Sequence, residues 1–382
     1  MTRIGIITIL KVNNYGAELQ AYATQAVLRN MGYDAEIIDY LFYKNPEFIK
    51  TKHSAPSFHF PLKKRMAEYI YPILSHLKNI PNGKALNRRN TRFARFHQEH
   101  TSMSQTYKST DELYLAHMNY DVYMTGSDQV WNPGIYSSLS PYFLDFAPQG
   151  HRRIAYSASF GVSRIPEYAR NFYSKHLQTY NSIGVREKNA VDMVRDIANM
   201  EAQWVLDPTL LLNKEDWMQI LSSIDVPSEP YILLYELTPC RYIRQLAEHI
   251  SSLQNWRIIR ICKSANKEDK NSSILNIVDA GPAEFLHLFS EAALIITNSF
   301  HGTAFSVNFQ RPFYTILPQR KQNNSRQRSL LELLNLTKRL LVEGDNFPEN
   351  TDLMIDYTLA NKILEQERMK SIQFLKEAIH GK

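Results

Sequence analysis

Cysteine is scarce: the 382 residues hold two, Cys240 and Cys262. That excludes a disulfide framework, and neither residue belongs to a CxxC pair. Both flank apolar, strand-like runs and read as buried free thiols of a protein in a reducing compartment, the cytoplasm. No HExxH, no HxE with PCxxC and no Cys/His cluster occurs, so no metal is expected. GxGxxG and GxxxxGK[ST] are absent, which removes a dinucleotide fingerprint and a P-loop ATPase. No run approaches the ~18 apolar residues of a membrane span. The apolar start, Ile4–Leu10, is short. Lys11, Asn13 and Asn14 follow it with no small-residue cleavage site, so it reads as a strand and not as a signal peptide. Short-period repeats and low-complexity segments are also missing.

What is present is ordinary globular material. Hydrophobic residues make up 44% and charged residues 21%, so a packed core is expected. The length is too great for one ordinary core and implies two domains. Aromatics reach 12%, with 22 tyrosines. Tyrosine suits both cores and sugar-facing surfaces, and the core is the plainer reading. The net charge of +6 points to an anionic partner without naming it.

The organisation is α/β. Strand Ile4–Leu10, the turn Asn13-Asn14-Tyr15-Gly16, a helix from Ala17 to Asn30 and strand Ala35–Tyr40 form a βαβ opening, hence a parallel sheet. Prolines interrupt residues 44–118. Strands return at Asp121–Thr125, Arg153–Ala158 and Ser182–Arg186, with a helix near Pro166–Tyr180 and another from Glu187. Pro227, Ser228 and Pro230 read as a linker. The alternation then repeats, with strands Tyr231–Leu237, Arg257–Cys262, Ile274–Val278, Leu294–Thr297 and Phe313–Ile316. Helices are expected at Tyr242–Leu253, Pro282–Ser290, Thr303–Asn308 and Ser329–Leu334, and a terminal one over Asp356–Ala378. The division expected is a first Rossmann-like domain over 1–212, a second over 213–355, and a C-terminal helix over 356–382.

Ligands of open α/β sheets bind at the carboxyl ends of the strands. Four strand ends here carry more polar chemistry than a turn needs. They are Asn14-Tyr15-Gly16-Ala17-Glu18, Gly126-Ser127-Asp128-Gln129, Arg186-Glu187-Lys188 and Thr297-Asn298-Ser299-Phe300-His301-Gly302-Thr303. His301 ends a strand and opens a helix. Backbone N–H groups there, with the Ser299 and Thr303 hydroxyls, would hold an anion, and the imidazole would donate a proton to it. The bland alternative is a capping or core histidine. Arg186 can grip phosphate or carboxylate with its fork, or pair with Glu187 or Glu201. Asp128 serves a ligand or merely a tight turn.

One stretch is strongly basic. From Lys63 through Lys64, Arg65, Lys78, Lys84, Arg88, Arg89 and Arg92 to Arg95, only Glu68 and Glu99 oppose the charge. It is either a solvated helix face or a peripheral dock, over 63–99, for an anionic membrane or a lipid diphosphate; Ile70, Tyr71, Ile73, Leu74 and Leu77 would be the apolar partners. Nucleic acid is not expected, because no stacking platform accompanies the charge.

Taken together and in order, the segments resemble the polysaccharide pyruvyl transferase family. They are Asn14-Tyr15-Gly16-Ala17-Glu18-Leu19-Gln20, Gly126-Ser127-Asp128-Gln129-Val130-Trp131-Asn132, Ile154–Gly161, Val185-Arg186-Glu187, Asp207-Pro208-Thr209, Ile296–Thr303 and Arg328-Ser329-Leu330-Leu331. The resemblance implies a GT-B-like pair of Rossmann-like domains facing across a cleft. It implies phosphoenolpyruvate as co-substrate and a hexose diol, galactose-type, as acceptor. The acceptor would belong to a bacterial surface polysaccharide or its undecaprenyl-diphosphate-linked precursor, and the product would be a cyclic pyruvate ketal. The family's donor histidine and arginine map onto His301 and Arg186. A further basic residue of the donor site maps onto Lys321, beside Arg320. Ser299, Gly302 and Thr303 complete the expected donor side. Asn14, Tyr15, Gly16, Glu18, Ser127, Asp128 and Gln129 form the expected acceptor side. Some members carry Asp after the first-loop glycine, where this chain has Ala17 and then Glu18. A nucleotide-sugar glycosyltransferase of the same architecture is the alternative enzyme, and a non-catalytic carbohydrate-binding protein is the alternative outside enzymes.

Overall fold

The computed structural model describes residues 1–45, 83–134, 139–264, 274–319, 325–348 and 353–381. The chain first builds a sheet from β1 (Arg3–Ile7), β2 (Asp34–Tyr40), β3 (Met103–Tyr107), β4 (Val122–Thr125), β5 (Arg152–Ala158), β6 (Ser182–Val185) and β7 (Gln203–Trp204). It then builds a second from β8 (Tyr231–Tyr235), β9 (Arg257–Ile261), β10 (Ile274–Ile277), β11 (Leu294–Thr297), β12 (Phe313–Leu317) and β13 (Leu340–Val342). The orders are β3-β2-β1-β4-β5-β6-β7 and β10-β9-β8-β11-β12-β13. All these pairings are parallel. The strands read as continuous apolar runs because helices cover both faces: Tyr231–Tyr235 and Leu294–Thr297 are buried throughout. Each sheet reverses its order beside its first strand, between β1 and β4 and between β8 and β11. Those are the switch points where open α/β sheets bind ligands.

The helices of eight or more residues among the described residues are α1 (Tyr15–Asn30), α2 (Gly83–His100), α3 (Arg170–Leu177), α4 (Lys188–Ala198), α5 (Arg241–Gln254), α6 (Pro282–Glu291), α7 (Phe300–Asn308), α8 (Ser325–Leu333) and α9 (Thr358–His380). Asn14 caps α1, its side chain accepting from the Gly16 and Ala17 N–H groups. The edge strands β3, β7 and β13 were not anticipated. They are two to five residues long, and only β13 is wholly apolar, so no apolar run of strand length marks them. Helix α7 begins at Phe300, three residues before the expected start. α8 begins at Ser325 and not at Ser329.

The two sheets share one apolar cluster. It runs from Ile4, Leu19 and Phe93 to Tyr235, Phe285 and Phe305. At its centre the Tyr15 ring is stacked on Phe285, with centroids 4.5 Å apart, and the Tyr15 hydroxyl donates to the carbonyl of Ala280 at 2.9 Å. Residues 221–230 carry the chain between the sheets. α9 then returns to the first domain. Ser371 Oγ accepts from Leu206 N–H at 3.0 Å, Phe374 lies against Gly184, and Arg368 donates to the carbonyls of Leu210 and Leu212.

In the described part of the basic stretch, four arginines reach across to the second domain. Arg88 pairs with Asp279 at 2.7 Å. Arg92 reaches Asp279 and Glu284, both at 3.3 Å, and Arg95 reaches Glu284 at 2.9 Å. Buried Arg89 donates to the carbonyls of Cys262 and Asn13 and covers the Tyr15 ring. Thus α2 straps the first domain to the second, and its arginines form the ion pairs that do so, although Arg88 and Arg95 stay about half exposed. Residues 63–82, with Ile70, Tyr71, Ile73, Leu74 and Leu77, lie outside the described residues. Among those described, no helix is long and apolar enough to cross a membrane. Cys240 is buried as expected, whereas Cys262 is half-buried.

Candidate active site

The site is built from loops that follow strands of both sheets. Arg186 ends β6, and its amide donates to the carbonyl of Ala158. Its side chain is 1% exposed and meets three carboxylates. Nη1 lies 2.9 Å from Asp207, Nη2 lies 3.4 Å from Asp128, and Nε lies 3.8 Å from Glu187. Glu201, one expected partner, instead pairs with Arg195. Burial alone would lower the Arg186 pKa, but the three carboxylates overcome it and raise it.

Asp207 is the hub. Its side chain is fully buried. Oδ1 accepts from the Thr209 amide at 3.0 Å and the Thr209 hydroxyl at 2.7 Å. Oδ2 accepts from Arg186 and from Ser127 Oγ, the latter at 3.2 Å. His301 Nε2 stands 3.5 Å from the same oxygen, close enough for charge attraction but without hydrogen-bond geometry. Burial pushes the Asp207 carboxyl up; His301, Arg186 and Thr209 outweigh it and hold the carboxyl well below the usual range.

His301 reaches this hub from the second domain, on the first turn of α7. The α1 start of the first domain lies against its ring. A Cβ at Gly16 would fall 2.0 Å from His301 Nδ1, so only glycine admits the imidazole here. The hydroxyls expected on the donor side make contacts within the fold. Ser299 Oγ caps α7 by accepting from Gly302 N–H at 3.2 Å. Thr303 donates its amide and hydroxyl to the Ser299 carbonyl, at 3.0 and 3.1 Å, and its Oγ1 also lies 2.8 Å from Thr315 Oγ1. These contacts complete the helix start. Arg320 and Lys321 lie outside the described residues.

On the acceptor side, Gly16, Ser127 and Asp128 come to the site. The other four are engaged in contacts within the fold. Asn14 is the α1 cap, and Tyr15 is interior to the domain boundary. Glu18 is buried, accepting from the Lys11 and Val12 amides at 3.1 Å each and facing His97 at 3.1 Å. Gln129 accepts from Asn132 at 2.7 Å. Asp128, 17% exposed, keeps an open face beside Arg186. Its φ of +72° lies in the left-handed region, which aspartate tolerates better than most residues.

Two groups escaped the sequence analysis. Asp207 lay in a quoted segment without a role. Arg326, on the first turn of α8, had no signal at all; it stands 3.9 Å from Glu187, which also accepts from Ser159 Oγ. The Phe300 ring carries both arginines, with Arg186 Cζ 5.2 Å and Arg326 Cζ 5.9 Å from its centroid.

Compared with profiles of known families, residues 14–320 match polysaccharide pyruvyl transferase. The chain belongs to the polysaccharide pyruvyl transferase family. As a family member it is a transferase of polysaccharide biosynthesis, with a sugar or polysaccharide as acceptor. No curated protein sequence matches it. Among solved structures it is similar to a putative UDP-N-acetylglucosamine 2-epimerase from Listeria monocytogenes. That likeness has 10% identity and a TM-score of 0.51, covering 100% of this chain and 97% of the other. MurG from Acinetobacter baumannii is also similar, at 10% identity and a TM-score of 0.47 over 100% of both chains. The fold of this pyruvyl transferase family member is GT-B-like: two Rossmann-like domains whose parallel sheets face across a cleft.

Proposed function

We propose that the enzyme transfers pyruvate from phosphoenolpyruvate to two hydroxyls of a hexose, galactose-type, forming a cyclic ketal and releasing phosphate. The acceptor is a surface polysaccharide unit or its undecaprenyl-diphosphate-linked precursor, and the work is cytoplasmic. One observation supports this reading above all. An imidazole, the buried Arg186 guanidinium and the largely buried Arg326 guanidinium converge, with their carboxylate supports, where strand ends of both domains meet.

The chemistry runs as follows. His301 donates a proton to the methylene carbon of phosphoenolpyruvate, and the second carbon becomes cation-like. A first sugar hydroxyl attacks that carbon and gives up its proton. The carbon–oxygen bond to phosphate then breaks, and the electron pair leaves with phosphate. The second hydroxyl closes the ring and loses its proton, so the products are the ketal and inorganic phosphate. General acid catalysis is typically worth about 10²–10⁴-fold. Arg186 steadies the negative donor through the transition state. Asp207 orients both residues, and Asp128 faces the acceptor. No metal or other cofactor enters these steps.

The test is incubation with phosphoenolpyruvate and a panel of synthetic or lipid-linked galactosides, with nucleotide sugars as competing donors. Phosphate release together with an acceptor heavier by one pyruvate less one water is expected. Sugar transfer from a nucleotide, without phosphoenolpyruvate turnover, would overturn the proposal.

A further inference from the structure

Arg186 and Arg326 differ in how they are matched. Arg186 faces Asp207, Asp128 and Glu187 and donates to the first two. Arg326 is 14% exposed, and its nearest counter-charge is Glu187 at 3.9 Å. Its Nε is buried without a hydrogen-bond partner, and no hydrogen bond from its side chain is seen among the described residues. The Nε–H is thus a donor left unpaired out of water, which is costly. Its position adds to that cost, because a cation on the first turn of a helix opposes the helix dipole. Arg186 also pushes against it, and burial together with that repulsion lowers the Arg326 pKa. A fold tolerates such a group where a ligand supplies the missing anion.

The surroundings indicate the ligand's shape. Both guanidinium groups sit on the Phe300 ring, and both reach the same Glu187 oxygen. The next residue after that ring is His301, whose Nε2 is also buried without a hydrogen-bond partner. Arg186 Nε is a third such group. Unpaired nitrogens from both domains therefore gather at one place.

We infer that Arg326 is the second cation of an anion clamp with Arg186, built around Phe300, for a compact molecule bearing two anionic groups. Naming that molecule phosphoenolpyruvate rests on the function proposed above; the clamp itself does not. Arg326 takes one anionic group and Arg186 the other; with phosphoenolpyruvate in the clamp, His301 faces the methylene carbon next to the carbon that bears both groups.

Calorimetric titration of the full chain with phosphoenolpyruvate and with inorganic phosphate tests this. Wild type should bind phosphoenolpyruvate, Arg326→Ala should bind it at least tenfold more weakly, and Arg326→Lys should lie between, because an ammonium keeps the charge but not the fork. Without ligand, Arg326→Ala should melt no lower than wild type, since it removes a cation whose burial is costly to the free fold. Wild-type affinity in Arg326→Ala would overturn the inference. So would a wild type that binds neither probe. A wild type that binds phosphate but not phosphoenolpyruvate, and loses phosphate in Arg326→Ala, would uphold the clamp and sink the donor reading.

Discussion

Gly16 of the first domain lies against His301 of the second so closely that a methyl group on Gly16 would stand 2.0 Å from the imidazole Nδ1. The site therefore exists only while the domains hold this disposition. The Tyr15–Phe285 stack and the Arg92 and Arg95 pairs with Glu284 maintain it. Gly16→Ala must displace either the ring or a domain. Turnover should fall by ~10²-fold or more, the scale of a lost general acid. Turnover of the folded variant near the wild-type rate would show that His301 has room to spare.

Asp207→Asn should act on two readouts. It removes the charge that orients His301 and matches Arg186, so kcat should fall more than KM rises. Stability at neutral pH should drop by roughly 3 kcal/mol, the scale for breaking a buried pair. The Asp207 carboxyl is held below its unfolded value. Its ionised form therefore contributes stability fully above the ordinary carboxylate pKa of ~3.9, and that contribution is lost as pH falls below it. One such group accounts for at most about 1.4 kcal/mol per pH unit. Melting curves of wild type and variant should differ at pH 7 and converge on acidification. Parallel curves would show that Asp207 is not the charge hub.

Much of the architecture was legible because buried parallel strands leave apolar runs that capped helices separate, as at Ile4–Ile7, Asn14 and α1. The strand ends singled out Arg186, Asp128 and His301, and the fold brings these three together around Asp207. What local sequence does not carry is partnership across the fold. Tyr15 looked like a sugar contact at a strand-end turn, but its partner Ala280 is 265 positions away. Asp207 gains its role from Ser127, 80 positions earlier, and from His301 in the other domain. Arg326 joins the site only because α8 brings it to Glu187 of the first domain, and a lone arginine in sequence carries no mark of that.

Donor recognition should read out as ligand-induced stability. A ligand that binds only the native state adds about 2.7 kcal/mol at a hundredfold excess over its dissociation constant. Phosphoenolpyruvate should raise the wild-type melting temperature accordingly. Arg186→Ala should lose most of the shift, and Arg186→Lys should recover part of it. An undiminished shift in Arg186→Ala would make Arg186 purely structural.

Turnover should survive a chelator. Among the described residues no group of three His, Cys, Asp or Glu is placed to hold a metal ion, and the proposed steps use side-chain cations for the donor's charge. Activity abolished by EDTA and restored by a divalent ion would contradict this.

The most direct test of the account follows the proton that His301 is said to deliver. Wild type and His301→Ala are incubated with phosphoenolpyruvate and a galactoside acceptor in deuterated water, and the product is read by mass spectrometry and proton NMR. Wild type should release phosphate and form a ketal whose methyl group carries one solvent deuteron, delivered when the methylene carbon is protonated. A folded His301→Ala protein should form none. A ketal made by His301→Ala at the wild-type rate, or a wild-type ketal without deuterium in its methyl group, would contradict the account.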